Sequence, residues 1–297
     1  MAKTSYNYLD PVALSRLGNM ELVARLVVEG FITGLHKSPY QGFSIEFSEH
    51  RQYMPGDEVR HIDWKVYGKS DRYYVKKFEE ETNLRTYIVL DASGSMNYKF
   101  SDQRLTKFQY GCYLAASLAY LMLKQRDSVS LTIFDQEIRN YIPPRSRASH
   151  LRAIISALEE AEPSGDTGIS EILHSLAKRI IRRGLVILIS DLLDQPTEIL
   201  TALKHFRHRK HEIIVLHLID EAERDFPFDG TVVFRDIETG NMLSTHAGTL
   251  KASYIRQFNQ FVSNYQRECG ANFIDYEQIC TTTKFDYALS SYLSRRK

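Results

Sequence analysis

Cysteine is scarce in this chain of 297 residues. The three cysteines are Cys112, Cys269 and Cys280, and none belongs to a Cys-x-x-Cys pair. An odd number without that spacing argues against a disulfide framework and against a zinc site built on thiolates. We therefore expect reduced thiols and a cytoplasmic protein.

Long apolar runs and an excess of one charge are also lacking. No segment approaches the ~18–20 apolar residues of a membrane-spanning helix, and residues 1–8 lack the apolar core of a signal peptide. The 38 lysines and arginines nearly balance the 37 aspartates and glutamates, which leaves a net charge of +1. This balance argues against an extended nucleic-acid-binding surface. We expect neither a nucleic-acid partner nor a membrane span.

What the chain does contain is the composition of an ordinary globular protein, with 43% hydrophobic and 25% charged residues. From residue 86 onward, short apolar runs typical of buried strands alternate with segments of helical periodicity. This alternation predicts an α/β fold: a doubly wound, mostly parallel sheet with helices on both faces. The predicted strands are 86–90, 129–134, 138–142, 185–189, 212–218 and a last edge strand at 272–276. The predicted helices are 107–124, 148–160, 169–183, 196–208, 248–268 and 287–293, with a β-hairpin within 226–246.

The N-terminal part has a different pattern. Residues 11–35 carry an apolar stripe at helical spacing, whereas the segments 42–47 and 72–78 alternate as strands do. We therefore predict two domains. Residues 1–84 form an N-terminal helix and a small β-rich subdomain, an insert ahead of the sheet, and residues 85–297 form the α/β domain.

The junction after the first predicted strand carries the clearest chemical pattern. Asp91, Ser93 and Ser95 follow the apolar strand directly, two residues apart, and Gly94 allows a sharp turn. Ligands of open α/β sheets gather at the carboxyl ends of strands. One carboxylate and two hydroxyls suit a hard divalent cation, Mg²⁺ first and Mn²⁺ second. Asp and Ser are also common in strand-to-helix loops because they cap helices, so a structural role stays open.

Two later segments extend this pattern. Thr167 lies in a loop that opens a predicted helix, and Asp191 follows a second buried strand. The order Asp-x-Ser-x-Ser, Thr, Asp resembles the metal-ion-dependent adhesion site of von Willebrand factor A domains, in which an acidic side chain of a partner completes the coordination. The resemblance implies that Asp91, Ser93, Ser95, Thr167 and Asp191 form one metal site in a von Willebrand A-like fold.

Further motifs resemble a bacterial family, the domain-of-unknown-function family fifty-eight. They lie at 44–47, 51–65, 76–81, 185–192 and 226–230. The most specific is the second, in which Pro-Gly-Asp is followed by Arg and then by Ile-Asp-Trp. The resemblance covers nearly the whole chain from about residue 35 onward. It implies a von Willebrand A-like domain that works beside MoxR-type AAA+ ATPases in chaperone-like assembly or metal insertion.

Together these features predict a divalent-metal-dependent protein-binding or adaptor module rather than an enzyme. Its expected partner is a MoxR-type AAA+ ATPase, or a protein that presents an acidic residue, in protein assembly or maturation. The alternative is a metal-dependent hydrolase or phosphotransferase that uses the Asp91 loop. Phosphotransferases of the haloacid dehalogenase type need a second acid where Ser93 stands, and the sequence around Ser93 departs from the Gly-x-Ser-x-Gly elbow of hydrolases.

Two further clusters allow both a structural and a functional interpretation. Arg60, Asp63 and Trp64 either lock the β-rich part through packing and charged hydrogen bonds, or dock a partner ATPase. Three histidines at a spacing of three could ligate zinc, but no nearby carboxylate or thiol completes such a site. We favour a basic helix end, which the helix dipole stabilises. The three are His205, His208 and His211.

Overall fold

The computed structural model describes residues 10–36, 50–53, 67–68, 73–76, 84–237 and 240–294. The chain divides into two compact units: the larger comprises Met1–Lys37 and Leu84–Lys297, and the smaller comprises Ser38–Asn83. This division differs from the predicted one, which grouped residues 1–84. The N-terminal helical segment belongs with the larger unit because its apolar side chains join the core of that unit.

In the described residues of the smaller unit, β1 (His50–Gln52) pairs with β2 (Tyr74–Lys76) in antiparallel register. The ladder continues by one bond, since the N–H of Tyr53 donates to the carbonyl of Tyr73 at 2.9 Å. The second predicted strand of this part is therefore present. The first, at 42–47, lies outside the described residues.

The larger unit is built on a six-stranded sheet. Its strands are β3 (Arg85–Asp91), β4 (Ser128–Phe134), β5 (Ile138–Arg145), β6 (Leu185–Ser190), β7 (Glu212–Ile219) and β10 (Asp275–Cys280). They lie in the order β10-β7-β6-β3-β4-β5, and all run parallel except the edge strand β5, which is antiparallel to β4. The strands β8 (Thr231–Arg235) and β9 (Met242–His246) form the predicted hairpin as a separate sheet. The carboxyl ends of β3, β6 and β7 therefore meet at one edge.

Helices cover both faces of this sheet. They are α1 (Pro11–Ser15), α2 (Met20–His36), α3 (Lys107–Lys124), α4 (His150–Glu160), α5 (Ile169–Arg179), α6 (Pro196–His208), α7 (Glu221–Asp225), α8 (Ala247–Ala271) and α9 (Phe285–Ser294). Helices α1 to α4 and α9 pack on one face, and α5, α6 and α8 pack on the other. The strands alternate between the two cores: Ile88 and Leu90 belong to one, Tyr87 and Val89 to the other. The predicted doubly wound α/β fold is confirmed.

Local chemistry explains where several elements begin and end. Helix α3 begins at a capping box in which the side chains of Thr106 and Gln109 each accept from the other's backbone N–H. The predicted helix at 11–35 is two helices. Gly18 breaks it with φ +63°, and Asn19 then accepts from the N–H of Leu22 at 2.8 Å to start α2.

The last strand begins later than predicted. The segment 272–276 does not start as a strand, because Phe273 has φ +55° and the N–H of Asn272 donates to the carbonyl of Cys269. This turn closes α8, and β10 follows at Asp275–Cys280. Among the described residues, no helix is long and apolar enough to cross a membrane.

Candidate functional site

The first three predicted ligands lie in the turn that follows β3. The N–H of Ser93 donates to Oδ1 of Asp91 at 2.9 Å, and a 3-10 turn then runs over Gly94–Asn97. The hydroxyls of Ser93 and Ser95 lie 3.1 Å apart and share a hydrogen bond. Asp91 and Ser93 are fully buried, and Ser95 is 9% exposed. The turn therefore gathers one carboxylate and two hydroxyls at a point that is nearly closed to solvent.

The other carboxylate oxygen of Asp91 is held from the neighbouring strand. The hydroxyl of Ser190, the last residue of β6, donates to Oδ2 of Asp91 at 2.6 Å. That hydroxyl also accepts from the N–H of Leu192 at 2.9 Å, which fixes its direction. Burial, and after it the charge of Asp191, raise the pKa of Asp91 to about 7, although the hydrogen bonds from Ser190 and Ser93 act against this rise. Asp91 is thus a buried carboxyl whose hydrogen bonds come from neutral donors.

The loop that carries Thr167 is tied to this turn by the backbone. The N–H of Gly94 donates to the carbonyl of Gly165 and the N–H of Ser164 donates to the carbonyl of Ala92, both at 2.9 Å. Gly165 adopts φ +74°, a conformation that favours glycine, so the loop can bend back. Among the described residues, none forms a hydrogen bond with the buried Oγ1 of Thr167. A buried hydroxyl without a partner is costly, so this hydroxyl is available to a ligand or to a water molecule.

Asp191 lies immediately after Ser190 and has a different environment. Its Oδ2 accepts from Nζ of Lys107 at 2.8 Å, and the same ammonium donates to Oε1 of Glu223 at 2.6 Å. Lys107 is fully buried, and Asp191 is 2% exposed. Burial alone would lower the pKa of Lys107, but the two carboxylates outweigh this and raise the pKa. Lys107 is therefore a protonated counter-ion that holds Asp191.

The five predicted ligands are thus placed at one edge of the sheet. Asp91, Ser93 and Ser95 form one bonded group. Asp191 adjoins Ser190, which binds that group, and Thr167 lies on the loop fastened to it. These two carboxylates and three hydroxyls offer oxygen ligands only, which fits a hard divalent cation. The unpartnered hydroxyl of Thr167 adds to the fit, whereas Asp191 offers one oxygen fewer than expected because Lys107 binds the other.

The remaining predicted residues do not join this site. Arg60, Asp63 and Trp64 lie outside the described residues. His205 contacts His174 of the neighbouring helix, with Nδ1 atoms 3.0 Å apart. The other two histidines of the cluster differ in environment, since His208 is exposed and His211 is fully buried. In the described part of the chain, no group of three or more His, Cys, Asp or Glu side chains is arranged to hold a metal ion.

Lys107 and Glu223 were not among the residues predicted for this site. Lys107 is the first residue of α3, where a lysine is ordinarily solvated and is disfavoured by the helix dipole. That unfavourable position was the available signal. Its partners lie 84 and 116 residues away along the chain, so the pairing depends on tertiary structure.

The fold and the site together define a doubly wound α/β domain with an oxygen-rich turn at the carboxyl edge of its sheet. The family described as "Protein of unknown function DUF58" matches residues 49–266. The chain belongs to this family, as its motifs predicted. An uncharacterized protein of Mycobacterium tuberculosis is 27% identical over 235 residues, which cover 78% of this chain and 73% of that protein.

Solved structures give weaker likenesses. The protein BatB from Bacteroides thetaiotaomicron is 17% identical, with a TM-score of 0.47, and the match covers 71% of this chain and 98% of that one. The SpRpn10 VWA domain is 12% identical, with a TM-score of 0.39, and the match covers 72% of this chain and 95% of that one.

Proposed function

We propose that this chain is a protein-binding module that depends on a divalent cation, with Mg²⁺ preferred and Mn²⁺ second. The observation that supports the proposal is the backbone attachment of the Thr167 loop to the Asp91 turn, together with the unpartnered hydroxyl of Thr167. Asp91, Ser93, Ser95 and Thr167 would hold the cation, and Asp191 would contribute through the oxygen that Lys107 does not bind. When bound, the cation supplies a positive charge and a coordination position for an acidic side chain of a partner.

Binding fits the geometry of these groups better than catalysis does. The hydroxyls of Ser93 and Ser95 lie 3.1 Å apart and hydrogen-bond to each other. Lys107 is held between two carboxylates that raise its pKa, so it cannot serve as a general base. Asp91 is bound on both oxygens by neutral donors, which leaves it poorly placed for nucleophilic attack. We therefore place the chain among binding proteins rather than hydrolases or phosphotransferases.

For the partner we propose a MoxR-type AAA+ ATPase, or a client protein of that ATPase which presents an acidic residue. Membership of the DUF58 family supports this choice, together with the association with such ATPases that the sequence motifs imply. The partner's carboxylate would complete the coordination at the Asp91 turn. The proposed role is that of an adaptor in protein assembly or maturation.

Calorimetric titration with Mg²⁺ tests the metal. The wild type should bind Mg²⁺, and Asp91→Ala should abolish binding. Thr167→Val is the sharper variant because it keeps the shape and removes a hydroxyl that has no hydrogen-bond partner among the described residues. We expect it to weaken Mg²⁺ binding by about tenfold while the free energy of unfolding changes by less than ~1 kcal/mol. Unchanged Mg²⁺ affinity in both variants contradicts the proposed site.

A pull-down tests the partner. The ATPase should be retained with Mg²⁺, and retention should fall with a chelator and with Asp91→Ala. Thr201→Val serves as the control, because the hydroxyl of Thr201 only donates to the carbonyl of Thr197 on an exposed part of α6. Equal retention under all conditions rules out the metal as the contact.

A further inference from the structure

A cavity of about 290 Å³ lies beside the candidate site, between the end of β7, helix α7 and one side of α8. Its walls include the rings of Tyr254, Phe258 and Phe261. The rings of Tyr254 and Phe258 are nearly parallel, with an interplanar angle of 14° and centroids 6.2 Å apart. Ligand cavities typically measure ~300–1,000 Å³. This one is therefore the size for a single side chain or a small molecule.

The charged groups that line the cavity are acidic. They are Asp191 and Glu223, and no lysine or arginine is among the described residues of the lining. Lys107 lies between the two carboxylates, with Nζ at 2.8 Å from Asp191 and 2.6 Å from Glu223. Two carboxylates and one ammonium leave a formal charge of −1 at this end of the cavity. A buried charge of that sign attracts a cation.

The remaining wall is fixed and neutral in character. Nδ1 of His217 lies 2.5 Å from the hydroxyl of Tyr276, so this face of the imidazole is already engaged. The His217 ring meets that of Phe261 edge-on, with centroids 5.8 Å apart. A cavity lined by aromatic rings and carboxylates favours a cation on an apolar stem, because the rings pack on the stem and attract the charge.

We propose that this cavity binds an alkylammonium group, supplied by a lysine side chain of a protein partner or by a free small amine. The site does not require a bound metal, since Glu223 and the aromatic walls are not among the predicted metal ligands. Asp191 borders both sites, so the two cations would repel each other, and the test is made without divalent cations. The outcome is then independent of the proposed metal function.

Saturation-transfer NMR titration with butylammonium chloride, in the presence of a chelator, measures this binding directly. The neutral probe n-butanol has the same apolar stem. Butylammonium should bind saturably and about tenfold more tightly than butanol. Glu223→Gln should weaken butylammonium binding by about tenfold and leave butanol binding unchanged. Glu159→Gln is the matched control because Glu159 is exposed on α4 and lies outside the cavity lining.

Glu223 also binds Lys107, so Phe258→Leu provides a variant that keeps that ion pair. It removes one aromatic wall and should weaken butylammonium binding by about fivefold. Equal binding of amine and alcohol by the wild type, or amine binding that neither variant changes, overturns the proposal. The peptides acetyl-Gly-Lys-Gly-amide and acetyl-Gly-Gln-Gly-amide distinguish the sources. If the lysine peptide binds more tightly than the glutamine peptide, the ligand is a lysine side chain of a protein. If the lysine peptide does not bind but butylammonium does, the ligand is a free amine.

Discussion

Asp91 and Asp191 stand at the ends of neighbouring parallel strands, and both are buried. Neutral groups donate to Asp91, namely the hydroxyl of Ser190 and the N–H of Ser93. Asp191 instead accepts from the ammonium of Lys107. Burial disfavours a charge without a counter-ion and tolerates one that is paired. Asp191 is thus balanced within the protein, whereas Asp91 has its charge available for an external cation.

Loss of the internal counter-ion should have the largest effect on stability. Lys107→Met leaves the buried Asp191 and the partly buried Glu223 without their ammonium and should lower the free energy of unfolding by ~3–5 kcal/mol, as measured by urea denaturation. Lys99→Met is the matched control because Lys99 pairs with the exposed Asp102, and it should cost less than ~1 kcal/mol. Similar losses for the two variants would show that the buried pair is not stabilising.

Amide substitutions at the two aspartates sharpen the comparison. Asp191→Asn leaves Lys107 with one carboxylate instead of two and should cost ~1–3 kcal/mol. Asp91→Asn should change the free energy of unfolding by less than ~1 kcal/mol, since it removes a charge that burial disfavours and keeps a side chain of the same shape. Thermal and urea unfolding without divalent cations measure both values. Equal costs would mean that the two carboxylates are held alike.

The smallest effect concerns a buried imidazole and the pH. Burial lowers the pKa of His211 from its ordinary value of 6.5. The unfolded chain therefore binds more protons than the folded protein between that lowered pKa and 6.5, so stability should fall as the pH falls through this range. His211→Phe, whose ring can pack on Tyr87 and Phe206 as the imidazole does, should lose less stability between pH 7 and pH 5 than the wild type.

Urea denaturation at a series of pH values measures how steeply the free energy of unfolding changes with pH. His208→Gln is the control because His208 is exposed on the last turn of α6. The control should keep the wild-type slope. If His211→Phe keeps the wild-type dependence of the free energy of unfolding on pH, His211 is not the cause of that dependence.

The sequence was sufficient to predict those strands and helices that a local pattern of apolar residues defines. The central strands β6 and β7 are short apolar runs and were predicted within one residue of their observed bounds. The strand β10 was displaced because the turn at Phe273 depends on how α8 closes, and because Glu277 and Gln278 give this edge strand little apolar pattern. Edge strands bury one side less completely, so periodicity describes them poorly.

The candidate site likewise contains residues that a local sequence pattern predicts and residues that only the tertiary fold brings in. Asp91, Ser93 and Ser95 were recognisable because they follow one strand at a fixed spacing, and the structure brings them together. The role of Lys107 could not be predicted, since it depends on partners that only the tertiary fold places beside it. Long-range ion pairs leave no periodic trace in a sequence.

The packing of α2 against the C-terminal helix α9 has a consequence for biosynthesis. Val23 and Val27 of α2 share one apolar core with Phe285 and Leu289 of α9. Translation produces α2 early, but this part of its core partner leaves the ribosome only after the whole sheet has been made. Until then, the side of α2 that packs on α9 lacks this partner. This side of α2 is therefore open to aggregation until α9 has been made.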